Sequence, residues 1–167
     1  MQAEAKIEHS NIGWDKTLRT LLSSVGDMEV AVGFPMNAEG LTTPTYPSNA
    51  SILEVARWNN FGTVRCVPPR PFMQQSIPKI KEGVKAVSEG FSRDRKSSVK
   101  PLSRDGAMII LKELGLMGED AIRHTIAYGD FVPNSPRTIR RKRSNKPLID
   151  TQHMRQGVTY VIREARV

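Results

Sequence analysis

A chain of 167 residues, 38% of them apolar, suits one domain (1–167) with a core of its own and no need of disulfides or metals to hold it. A single cysteine, Cys66, excludes an internal disulfide, and no apolar run approaches the ~20 residues that span a bilayer. The formal charge of +8, from 25 basic and 17 acidic residues, points to polyanions or acidic surfaces as partners and decides nothing about fold.

The opening "MQAEAKIEHS" is polar and lacks the apolar segment of a secretory signal, which predicts synthesis in a reducing cytoplasm. Trp14, Leu18, Leu21, Leu22 and Val25 recur at helical spacing, so a helix is expected over 14–24, stopped at Gly26-Asp27. Residues 28–34, "MEVAVGF", alternate as a half-buried strand does. Residues 35–50, with three prolines and small polar side chains, read as a loop.

Ser48 or Ser51 is placed to cap the next helix, with Glu54 as the capping-box partner of Ser51. That helix, "SILEVARWNNF", turns Ile52, Val55, Ala56 and Asn59 to one side, and Gly62 stands where a left-handed C-cap is usual. "VRCVPPRPFM" is then extended, because a residue before proline is pushed out of the helical region. Phe61 and Phe72 are expected to anchor its two ends in the core, and Cys66 to be a small buried apolar residue. Arg70, between two prolines, has a fixed backbone and a planar fork suited to a bidentate carboxylate, internal or on another subunit.

A second helix starts near Pro71, with Met73, Ile77, Ile80, Val84, Val87 and Phe91 forming an apolar seam. A basic loop over 92–104 interrupts it; Arg93–Arg104 holds five basic residues against Asp94. A third helix is expected over Arg104–Tyr128, with Ala107, Leu111, Leu114, Met117 or Gly118, Ala121, Thr125 and Tyr128 on one stripe. Its Gly115 and Gly118 weaken helix propensity or permit close helix packing. Residues 129–148 read as a loop rich in proline and charge, then a helical turn, "DTQHMRQ", with Asp150 as N-cap. A last strand is expected over 157–165, with Val158, Tyr160 and Ile162 on one face.

No catalytic set is legible. His9, His124 and His153 lie far apart without ligand spacing, and Cys66 has no nearby histidine. "GLMGED" lacks the strand–loop–helix setting of a phosphate cradle, and Glu113, Glu119 and Asp120 are ordinary helix acids.

The run Arg137–Lys146 sets Arg137, Arg140, Arg141, Lys142, Arg143 and Lys146 among ten residues with no acid. Three readings stand: a grip on nucleic-acid phosphates, a solvated loop, or an arm docking on a neighbour's acidic surface. The flanking Pro136 and Pro147 and the lack of interleaved aromatics favour an extended arm over a recognition helix.

Taken in order, these segments resemble a known family. "ASILEVARWNNFGTVRCVPPRPFM" is similar to the A-x-hydrophobic-x-E-F-G-T…I-P-x-R-P-F block of tail-completion or neck proteins from long-tailed bacteriophages, including the Mu G-like virion morphogenesis proteins. "VPNSPRTIRRKRSNKPLIDTQHMRQGVTYVI" is similar to the same family's ending, N-S-x-x-T-I-x-x-K-x-S-x-x-P-L-x-D-T-G-x-L-x-x-S-I-x-Y. The resemblance runs from Glu29 to about Glu164. Asn60 replaces the usual Glu, Gln152 the usual Gly and Met154 the usual Leu.

The resemblance implies an α+β fold, a small, mainly antiparallel sheet packed against long helices, in agreement with the elements above. It also implies a non-catalytic virion protein at the head–tail junction, without cofactor or metal, working as a six-fold homo-oligomeric ring around the DNA channel. Its implied neighbours are the connector, the tail terminator, the tail tube and the channel DNA, with no membrane. The interface expected from it comprises Phe61, Arg70, Phe72, Arg137, Arg140, Arg141, Lys142, Arg143, Lys146 and Asp150. Two alternatives remain at this stage: a tail terminator of the same neck, or a non-catalytic nucleic-acid-binding protein using residues 137–146.

Overall fold

A computed structural model describes residues 16–26, 28–34, 50–64, 66–94, 102–142 and 144–164. Two strands, β1 (Met28–Gly33) and β2 (Thr159–Glu164), come from opposite ends of the chain and pair antiparallel, Val32 opposite Tyr160 and Val30 opposite Ile162. Among the described residues six α-helices accompany them: α1 (Lys16–Leu21), α2 (Ile52–Phe61), α3 (Phe72–Asp94), α4 (Arg104–Tyr128), α5 (Pro136–Lys142) and α6 (His153–Gln156). The fold is α+β.

α4 organises the molecule, because it packs on both strands and along α3. Ser103 caps it by accepting the Gly106 N–H at 3.3 Å, and its bounds match the apolar period. Its two inner glycines let the sheet approach. The Tyr160 ring occupies the place of a side chain at Gly115, and a Cβ on Gly118 would lie 2.9 Å from Val32 Cγ2. Of the two roles expected for those glycines, close packing of the helix is the one they serve, here against the sheet. On the other face of the sheet, Arg163 Nε donates to Glu29 Oε1 at 2.6 Å, directly across the ladder.

The core gathers Ala56, Phe72, Ile122, Ile126, Leu148, Met154 and Val158, with Val32, Phe34, Met73, Ile80, Phe131 and Ile149 packed against it. Phe34 meets Phe72 edge to face, with ring centroids 6.3 Å apart. Arg123 ties α4 to the chain entering β2: its Nη2 donates to the Val158 carbonyl at 2.9 Å, and its Nη1 pairs with Glu119 at 2.6 Å.

Several expectations need correction. The first helix ends at Leu21 and gives way to a 3-10 turn, Ser23–Val25; Trp14 lies outside the described residues. α3 runs on to Asp94, so the interruption begins later than residue 92, and 95–101 lie outside the described residues, as do 35–49 of the first predicted loop. Tyr128 is exposed at the end of α4 and does not share its buried stripe. The predicted loop over 129–148 contains a helix, α5.

Candidate interaction surface

α2 opens on a capping box. Ser51 Oγ accepts the Glu54 N–H at 3.2 Å, and the Glu54 carboxylate accepts the Ser51 N–H at 2.8 Å. The bond from the Ser51 backbone, with that from its hydroxyl, holds the Glu54 carboxyl below its ordinary pKa. The box fixes the register of α2, which buries Ile52, Ala56 and Asn60. The expected side was one residue out at its far end, since Asn60, and not Asn59, points inward.

The reason lies thirteen residues on. Asn60 Oδ1 accepts the Met73 N–H at 3.1 Å and so satisfies a first-turn donor of α3. A cap borrowed from another helix leaves no local sequence signature. Asn60 Nδ2 is buried without a hydrogen-bond partner.

Between the two helices the connector is bonded to itself. Gly62 takes φ 76° and ψ 176°, a glycine conformation but not the left-handed cap expected. A Cβ there would lie 2.9 Å from both the Val67 oxygen and the Pro69 nitrogen. Thr63 Oγ1 accepts the N–H groups of Cys66 and Val67 at 3.3 and 3.0 Å, and the Thr63 N–H donates to the Val67 carbonyl at 2.8 Å. The turn pushes Cys66 outward, so the thiol is exposed, contrary to expectation. The Arg70 N–H then donates to the Asn59 carbonyl at 2.8 Å and closes the loop.

The Arg70 side chain turns inward and is 5% exposed. Nε donates to the Val132 carbonyl at 2.9 Å. Nη2 reaches Asn134 Oδ1 at 3.1 Å and the Pro133 carbonyl at 3.4 Å, while Nη1 reaches Asn59 Oδ1 at 3.5 Å. The expected carboxylate is replaced by four neutral oxygens. They give each nitrogen of the fork a hydrogen-bond partner but do not neutralise its charge, and burial lowers the Arg70 pKa.

Asn134, also buried, extends the hub. Its Nδ2 donates to the carbonyls of Lys146 and Asn145 at 3.1 and 3.4 Å. Lys142 Nζ donates to the carbonyls of Pro147 and Ile149 at 3.2 and 3.3 Å. Burial lowers the Lys142 pKa; the Asp150 charge opposes this, and the Arg70 and Arg141 charges add to it.

α5 corrects the reading of an extended arm. Pro136 occupies its first position, where a missing N–H costs nothing. Ser135 accepts the Thr138 N–H on its hydroxyl at 3.3 Å and the Ile139 N–H on its carbonyl at 3.0 Å. Ser-Pro before a polar turn was the signal available in the sequence; it was outweighed by the second proline, Pro147, which lies beyond the helix.

The ten expected interface residues thus fall into different settings. Phe72 is core and Arg70 is buried, so both are committed inside the subunit, whereas Phe61 is 56% exposed and anchors nothing in the core. Arg137, Arg140 and Arg141 are exposed, and Lys142 is turned inward. Lys146 Nζ lies 5.6 Å above the Tyr128 ring. Asp150 is exposed and does not cap α6; the residue before that helix is Gln152, left-handed at φ 62°, with no side-chain cap. Arg143 lies outside the described residues.

Of the apolar groups that flank the hub, the expected interface included Phe61 but not Trp58, Val64 or Val132. Trp58, Phe61, Val64 and Val132 remain 43%, 56%, 104% and 51% exposed. Trp58 and Phe61 are three residues apart on α2, Val64 is in the turn, and the carbonyl of Val132 holds Arg70.

Elsewhere, two open grooves of 340 and 350 Å³ lie between α3 and α4. The first is lined by Gln75, Lys79, Glu82, His124 and Tyr128; His124 is exposed, with its ring 4.8 Å from that of Tyr128. Among the described residues no group of three or more His, Cys, Asp or Glu could hold a metal ion, and no helix is long and apolar enough to cross a membrane. Comparisons with protein-family models, with characterised proteins and with solved structures find no match to this chain.

Proposed function

We propose that this chain is a structural subunit of a bacteriophage neck, a tail-completion or head–tail joining protein that assembles as a ring around the DNA channel and catalyses nothing. One observation carries the reading. The two sequence blocks that resemble the neck family, separated by some sixty residues, are bonded to each other through Arg70 and Asn134. A motif pair that builds one rigid hub is a physical reason for the two blocks to occur together.

Two further features support it. Gln152, where the family commonly has Gly, is the one non-glycine residue with positive φ among the described residues. The hub also displays Trp58, Phe61, Val64 and Val132, and exposed apolar groups on a rigid frame suit contact with neighbouring subunits. A ring requires head-to-tail contacts that close under rotation. Connector, tail terminator and tail tube are the neighbours this reading assigns.

The test is electron microscopy of the purified protein mixed with isolated tails, alongside mass spectrometry of purified virions. Rings that cap tail ends, formed by a protein present in the particle, are expected. A protein that stays monomeric beside tails and is absent from virions overturns the reading.

A further inference from the structure

α5 is short, but it is held in place. Ser135 caps its start, Lys142 ties its end to the carbonyls of Pro147 and Ile149, and Asn134 pins the chain just before it. The tethers use Lys142 and leave the arginines outside. Arg137, Arg140 and Arg141 stand three and four residues apart, so they share one side of the helix, and all three are exposed. Among the described residues none of the three forms an ion pair.

A tethered helix that carries three exposed guanidiniums on one side calls for a row of anions. We propose that the solvent face of α5 docks on the phosphate backbone of duplex DNA through Arg137, Arg140 and Arg141, without reading its sequence. Each planar fork suits a phosphate, and closely spaced phosphates are what a duplex presents. The helix carries no Asn or Gln to recognise adenine and no aromatic to stack on a base. Tyr128, near Lys146, is not a vacant stacking platform, because its ring already meets Lys146 Nζ and the His124 ring. A helix face with charge and no stacking group of its own fits paired strands better than single ones.

The inference stands apart from the neck reading: a protein absent from virions would still bind duplex through this face. The test uses the full chain and a labelled mixed-sequence duplex, followed by fluorescence anisotropy over a salt series. Three phosphate contacts predict a log–log slope of about −2.7, or roughly fortyfold weaker binding for a fourfold rise in salt.

The triple variant Arg137→Gln, Arg140→Gln, Arg141→Gln keeps helix propensity and is expected to flatten that slope nearly to zero. A charge-matched control, Lys79→Gln, Lys81→Gln, Lys85→Gln on α3, is expected to keep it. Circular dichroism checks that both variants are folded. Equal losses in the two variants would reduce the effect to net charge and overturn the proposal. So would undetectable duplex binding by the wild-type chain, or single strands bound as tightly as duplex.

Discussion

The two proline-rich basic blocks of this chain solve opposite problems with the same residue type. In the first, residues 56–73, a self-bonded turn delivers Arg70 to the interior, where its fork meets the carbonyls of Val132 and Pro133 and the amide oxygens of Asn134 and Asn59. In the second, the tethers of Asn134 and Lys142 hold a short helix whose arginines face water. What separates them is the supply of otherwise unpaired carbonyls. The irregular segment 132–134 has no helix or ladder to satisfy its oxygens, and buried oxygens left open are costly. Arg70 goes where those oxygens are, and the arginines of α5 have none to fill.

The largest expected difference between an inward and an outward side chain lies within the first block, at the two phenylalanines that bracket the connector. Phe72 is 1% exposed and meets Phe34, so Phe72→Ala should cost about 4 kcal/mol in denaturant unfolding. Phe61→Ala, on the exposed side, should change stability by less than about 0.5 kcal/mol while weakening assembly. Equal losses of stability would mean that Phe61 packs inside the subunit, and the apolar rim of the hub would be lost.

Arg70→Met comes next, at roughly 3 kcal/mol, because the truncated fork leaves the buried Asn134 oxygen and three part-buried oxygens without this donor. Arg140→Met should be close to neutral in the same unfolding experiment. Arg70→Lys should recover only part of the loss, since one ammonium cannot reproduce the spread of a planar fork. Full recovery would show that the charge of the hub matters and its geometry does not.

Much of this frame was legible in the sequence. The bounds of α4 follow from the recurrence of Ala107, Leu111, Leu114 and Ala121, and both strands follow from alternation. Ser51 and Glu54 announced the start of α2 by spacing alone. What stayed hidden depends on distant partners. Asn60 is buried because Met73 needs an acceptor, Arg70 because residues 132–134 need donors, and Cys66 is exposed because Thr63 gathers the turn beneath it. α5 is hard to see in the sequence because Pro136, which can end a helix, here starts one.

The pH response of Lys142 sharpens the comparison at its middle. Its folded pKa is lowered from 10.5, mainly by burial, so the unfolded chain holds this proton more tightly. In the window between the folded pKa and 10.5 the unfolded state therefore binds more protons, and stability rises with pH. Below the window the cost of burying the charge is constant. Subtracting the unfolding profile of Lys142→Met should expose this alkaline rise; a difference that is flat or falls with pH would place the ammonium in water with the arginines of α5.

The smallest expected effect has the opposite sign. Gln152 holds φ 62° just before α6, on the carboxyl side of the hub, and a side chain in the left-handed region costs about 1–2 kcal/mol. Glycine relieves that strain, but it also widens the unfolded ensemble, which offsets part of the gain. Gln152→Gly should therefore stabilise the chain by about 0.5–1 kcal/mol, read as a higher denaturant midpoint with an unchanged slope. The Gln152 side chain forms no cap, so no bond to the helix is lost with it. The gain should also leave duplex binding alone, because the substitution lies outside α5 and touches none of its arginines. A destabilised variant would mean that Gln152 makes a contact worth more than its backbone strain, and the turn after Asp150 would then be set by that side chain instead of by the tethers of Lys142.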